Sequence, residues 1–138
     1  MTDTHSKAVR SYNMSRIRSK DTRPEMLVRR YLFARGFRYR LHDSRLPGKP
    51  DLVLPKYRTA IFIHGCFWHA HENCRYAVKP KSNTTYWDAK IAGNVARGAA
   101  SVEKLTALGW KTIVVWECQL KKGITEHTLN ELAGAILK

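Results

Sequence analysis

Residues 48–69 constrain this chain more than any other stretch. They contain two short apolar runs, 51–54 and 60–63, joined by Pro55-Lys56-Tyr57-Arg58. Runs of that length bounded by turn residues predict two neighbouring strands. Reactive side chains stand at the strand ends: Asp51 opens the first, and His64, Cys66 and His69 follow the second. A packed core does not need an acid, two imidazoles and a thiol there. A third run, residues 111–116 with Thr112-Ile113-Val114-Val115 at its centre, has the β-branched composition of a buried strand.

Helical signals lie between and around these strands. Thr22-Arg23-Pro24-Glu25 is a capping-box pattern with Pro in the first turn. It predicts a helix to about residue 34, with Leu27, Val28, Tyr31 and Leu32 on one face, Arg29 and Arg30 opposite, and a stop at Gly36. Residues 37–41 alternate apolar and basic, as in a half-buried strand. Residues 75–81 read as a basic loop. A helix starting at Asn83 or Thr84 would place Trp87, Ile91, Val95 and Val102 on one face, and Gly93 and Gly98 predict a break in it or two helices. Leu105, Leu108 and Gly109 mark its end, and Thr125 caps a last helix carrying Leu129, Leu132, Ala133 and Ile136. No repeat or internal boundary interrupts this order. The expectation is one α/β domain over residues 21–138, a central mixed β-sheet flanked by helices, preceded by a basic arm over residues 1–20. Ordering of that arm on a polyanion and simple fraying are both open readings.

Lys and Arg number 25 against 11 Asp and Glu, a formal charge of +14. With 43% hydrophobic residues the chain is not a disordered polycation. The charge calls for a polyanionic partner, nucleic acid first and an anionic membrane second. No run approaches the ~20 apolar residues of a membrane span, and the N-terminus has no apolar signal region. A location in the cytoplasm is therefore expected. Three cysteines are an odd number, against a disulfide framework.

Cys66-x4-His71-x2-Cys74 brings three donors into nine residues, and Cys118 follows the third strand. Cys3His is a closed tetrahedral zinc set, which leaves no position for substrate and so predicts a structural ion. The alternative is three unrelated buried thiols. His69 competes with His71 as the nitrogen ligand. Asp51 is either a turn carboxylate or a Mg²⁺ ligand. Glu25 is either the third residue of its capping box or the partner of an imidazole. His64 at a strand end reads as a core histidine or a site residue, and a neutral imidazole near pH 7 suits activation of water.

Several segments together resemble one family. They are Met14 in Asn-Met-Ser-Arg-Ile, Pro-Gly-Lys-Pro-Asp51, Phe62-Ile63-His64-Gly65-Cys66-Phe67-Trp68-His69, Asn94-Val-Ala-Arg97 and Val-Val-Trp-Glu-Cys118. They are similar to the very-short-patch repair (Vsr) DNA mismatch endonucleases, from about Lys7 to the final helix. The resemblance implies a restriction-endonuclease-like domain of the PD-(D/E)XK superfamily that nicks one strand 5′ of the thymine in a T:G mismatch. It implies that Asp51 holds Mg²⁺ with the backbone carbonyl of Ile63, that His69 activates water, and that His64, oriented by Glu25, acts at the phosphate. It further implies a structural Zn²⁺ on Cys66, His71, Cys74 and Cys118, an apolar wedge of Met14, Phe67 and Trp68 in the base stack, and DNA contact by Asn94 and Arg97. The expected partners are mismatched double-stranded DNA and mismatch-repair proteins, with the chain a monomer off any membrane.

Two departures stand out. Gly98 occupies a place where the family commonly has an acid, and the superfamily's second acid and lysine are not recognisable after Asp51. A zinc-stabilised DNA-binding module without catalysis, and a nuclease for another DNA structure, are the competing readings.

Overall fold

The computed structural model describes residues 22–77 and 81–138. Among them are α1 (Arg23–Ala34), β1 (Arg40–Leu41), β2 (Leu52–Leu54), β3 (Thr59–His64), α2 (Thr84–Ala107), β4 (Lys111–Trp116) and α3 (Thr125–Leu137). The strands form one mixed sheet in the order β1-β2-β3-β4. β1 and β3 both run antiparallel to β2, and β4 runs parallel to β3. A parallel neighbour needs a crossover, and α2 supplies it. The chain is thus an α/β protein, as its sequence order predicts. The basic arm and Met14 lie outside the described residues.

Alternation along β3 assigns the two faces of the sheet. Ile61 and the half-buried Ile63 join Val28, Leu32, Leu129, Leu132 and Ile136, so α1 and α3 cover one face. Ala60 and Phe62 point the other way and pack with Leu105 of α2. Each such aliphatic side chain contributes ~1.5–3 kcal/mol by leaving water.

Local chemistry explains the element ends. The Thr22 hydroxyl accepts from the Glu25 N–H at 3.4 Å, and α1 stops at Gly36 with φ +90°. A 3₁₀ turn, Pro55–Tyr57, joins β2 to β3 and ends on Arg58 in the left-handed region. At Gly48 (φ +76°) an added Cβ would lie 2.4 Å from the Ser101 Oγ on α2. The absence of a side chain there lets the turn before Asp51 close against α2.

Five local expectations are corrected. Only Arg40 and Leu41 of residues 37–41 pair, because β2 is three residues long; Phe37 turns into the core and the Tyr39 hydroxyl donates to the Arg29 carbonyl at 3.0 Å. Arg29 is not opposite the buried face but partly buried, bonded to the buried Glu25. α2 is one unbroken helix of 24 residues, and Val95 on it is exposed. β4 is an edge strand in which only Val115 is fully buried. Thr125 is the first residue of α3 rather than its cap, and its hydroxyl donates to the Lys121 carbonyl.

Candidate active site and metal centre

β3 and β4 run parallel with His64 opposite Trp116. Their carboxyl ends therefore deliver the next residues to one place, the usual location of sites in parallel sheets. Cys66 follows β3, Cys118 follows β4, and the intervening loop adds His71 and Cys74; their donor atoms all lie within 4.8 Å of one another. The Cys118 Sγ is 3.4 Å from the His71 Nδ1, and the Cys118 N–H donates to the Cys66 Sγ at 3.4 Å. The His71 ring stacks on Trp116 at 4.0 Å, which fixes its aim. Burial pushes the Cys66 thiol up to about 12 and raises Cys118 as well. Three sulfurs and one nitrogen in this arrangement match a tetrahedral thiophilic cation, whose charge would hold the thiols ionised. The donor set fits the expected zinc, with His71 rather than His69 inside it.

His69 instead stacks on His64, rings parallel and 3.8 Å apart. Both line a groove of about 570 Å³ together with Asp51, Ile63, Asn94 and Arg97. The Asp51 Oδ2 accepts from the Ile63 N–H at 2.7 Å, so this side chain extends the ladder just before β2 begins. Burial raises Asp51 to about 6, opposed by that hydrogen bond and aided by the nearby Glu25. A buried, reluctant carboxylate of this kind fits a divalent cation. Burial lowers His64 to about 4, helped by the charge of His69. Burial also lowers His69, with Arg97 adding to the effect. Both rings are therefore neutral at pH 7. His64 Nδ1 is buried without a hydrogen-bond partner. A Cβ at Gly98 would stand 4.0 Å from the His64 ring, so an acid at that position would face His64.

Glu25 is 1% exposed, and its carboxylate meets two partners. The His42 Nε2 lies 2.9 Å from Oε1, and the Arg29 Nη1 donates to Oε2 at 3.2 Å. The imidazole beside Glu25 is thus His42 rather than the His64 expected from sequence. His42 was not singled out in the sequence, although the pairing Arg40↔Val53 and Leu41↔Leu52, continued by one residue, places it against Asp51. The His42 N–H donates to the Asp51 carbonyl at 3.1 Å.

Phe67 and Trp68 are not isolated protrusions. With Trp87 of α2 they form a cluster whose centroids are 5.0–5.8 Å apart. The Lys90 ammonium stands over Trp68. The Asn94 amide donates to the Trp68 carbonyl at 3.0 Å, and Arg97 bonds to the Asn94 Oδ1. Trp87 reads from sequence as a core position; its place in this cluster depends on the loop after β3 folding back, which periodicity does not report.

Residues 2–75 match the family described as DNA mismatch endonuclease Vsr. The Type II nicking enzyme V.NmeAIP of Neisseria meningitidis is 50% identical over 99% of this chain and 97% of its own length. V.XorIIP of Xanthomonas oryzae pv. oryzae is 49% identical over 96% and 97%. The DNA mismatch endonuclease Vsr of Escherichia coli is 41% identical over 95% of this chain and 85% of its own. With that coverage, and with the sheet, the Cys3His cluster and the histidine-lined groove in place, this chain belongs to the Vsr family of DNA endonucleases.

Proposed function

We propose that this chain is a Mg²⁺-dependent endonuclease that nicks one strand 5′ of the thymine in a T:G mismatch, on a domain of the PD-(D/E)XK superfamily. The observation that carries the reading is the convergence of Asp51, His64 and His69 on one groove whose wall includes Arg97 and Lys104. Asp51, with the backbone carbonyl of Ile63, holds the divalent ion. That ion supplies positive charge to the phosphoryl oxygens when bound. His69, neutral at pH 7, accepts the proton of the attacking water as the new P–O bond forms and one phosphate ester bond breaks. His64 lines the same groove, stacked on His69, and faces the same phosphate. Glu25 and His42 stand beside Asp51, bonded to each other.

Zn²⁺ on Cys66, His71, Cys74 and Cys118 is structural in this reading and fixes the loop that carries His69. Met14, Phe67 and Trp68 enter the stack where pairing is already poor, since unstacking is then least unfavourable. Asn94 holds that loop through Trp68 and orients Arg97 toward the DNA backbone. The domain over residues 21–138 works as a monomer, with the arm over residues 1–20 on the DNA.

The substrate assignment is tested with end-labelled duplexes that are identical except for one site: T:G, T:A, other mismatches and a branched junction. The reading predicts one Mg²⁺-dependent nick, on the thymine strand of the T:G duplex. Preferential cutting of the junction or of another mismatch would favour a different DNA structure as substrate.

A further inference from the structure

Beside the groove, three side chains on three different segments converge. The donor atoms of Glu25 on α1, His42 after β1 and Asp51 before β2 all lie within 4.8 Å of one another. Glu25 is buried and the other two are partly buried, so none owes its position to chance contact at the surface. The backbone turns at His42, whose φ is +47°, in the left-handed region that His enters more readily than most L residues. Its N–H is bonded to the Asp51 carbonyl, and its ring is directed at the Glu25 carboxylate.

The spacing suits an ion. Two neighbouring ligands on an octahedral cation with bonds of ~2.1 Å are about 3 Å apart. The His42 Nε2 and the Glu25 Oε1 are 2.9 Å apart. Arg29 on the other Glu25 oxygen offsets one negative charge, so the set has only modest attraction for a divalent ion until a phosphate joins it. An imidazole nitrogen also changes which ion is favoured. Mg²⁺ prefers oxygen ligands alone, whereas divalent transition metals accept imidazole as well.

We propose that His42 is a nitrogen ligand of the catalytic divalent cation, completing with Glu25 and Asp51 a set that favours Mn²⁺ over Mg²⁺. This rests on the preceding reading that Asp51 holds that cation. The chain would then work with either ion, and His42 would set the preference between them.

The test uses the full chain with its zinc in place, bound to a T:G duplex already nicked at the cleavage position, so that no turnover occurs and every phosphate oxygen is retained. Mn²⁺ is added at one equivalent and followed by electron spin echo envelope modulation. The expected result is nitrogen coupling from a directly bound imidazole in the wild type, lost in His42→Gln. Titrations should give a Mn²⁺ affinity about tenfold weaker in His42→Gln. The Mg²⁺ affinity should change by less than about threefold. No nitrogen coupling in the wild type, or unchanged coupling and Mn²⁺ affinity in His42→Gln, overturns the proposal. The wild-type spectrum alone decides if the variant does not fold. Asp51→Asn separates the two readings: it should abolish cation binding. If it binds Mn²⁺ normally, the assignment of Asp51 fails and His42 falls with it. If only His42→Gln is silent, the preceding reading stands alone.

Discussion

Asp51 is held near its titration point by its surroundings. Burial lifts it from 3.8 to about 6, while the Ile63 N–H pulls against that lift. A carboxyl whose folded pKa is raised adds stability in its neutral form. That contribution is complete below about pH 4 and lost as pH rises through about 6. Cation binding needs the ionised form, so it releases a proton. Mg²⁺ affinity measured by titration should therefore tighten about fivefold between roughly pH 5 and pH 6, reach about tenfold by pH 7 and level off above it. A flat affinity across that range would contradict the burial argument. His64 works in the opposite sense: its depressed pKa gives stability that is present above about pH 6.5 and lost as pH falls through about 4. Sequence singles out Asp51, His64 and His69 as candidates, from their places at or after predicted strand ends and from the family resemblance. It does not pair Glu25 with His42, because that contact joins α1 to the end of β1 across 17 residues and depends on a left-handed backbone.

The strands were the most legible elements, since short β-branched runs between turn residues have few other uses. β4 coincides with the expected residues 111–116, β2 begins one residue late and β3 extends one residue further at each end, whereas β1 keeps only two of the five expected residues. α2 was misjudged. Two glycines destabilise an isolated helix by about 1 kcal/mol each, but Ile91 and Leu105 are buried and together offset that. Gly93 and Gly98 also serve their neighbours: a Cβ at Gly93 would stand 3.1 Å from the Arg97 guanidinium, and one at Gly98 would face His64. Gly48 couples α2 to the turn before Asp51. Gly48→Ala should destabilise the protein by about 1–3 kcal/mol, read as a lowered denaturant midpoint, because its Cβ would overlap Ser101. An unchanged midpoint would mean that the turn and α2 are not in contact. At the other end of the sheet the Lys111 ammonium donates to the carbonyls of Ala135, Ile136 and Lys138, closing the C-terminus of α3. Lys111→Met should lose ~1 kcal/mol in the same measurement, as these carbonyls return to water.

The whole molecule combines a small core, a Cys3His cluster suited to a metal ion and a strongly basic composition. Among the described residues no helix is long and apolar enough to cross a membrane, and a formal charge of +14 suits a DNA substrate. Duplex affinity should accordingly fall about a hundredfold or more between roughly 50 and 200 mM salt, as counterions released from several phosphates are put back. A salt-independent affinity would leave the charge unexplained. The Cys3His cluster ties the loop after β3 to the end of β4. Elemental analysis should find one zinc per chain, and Cys118→Ser should lower zinc content and thermal stability together. Full retention of zinc in that variant would remove Cys118 from the ligand set. The central claim, that Asp51 and its neighbours form a divalent-ion nuclease site, is tested most directly on a strand-labelled T:G duplex. Wild type and Asp51→Ala are compared with and without Mg²⁺. The account predicts a single nick by the wild type with Mg²⁺ and none by Asp51→Ala. An undiminished nick by Asp51→Ala, or no nick by the wild type, would contradict it.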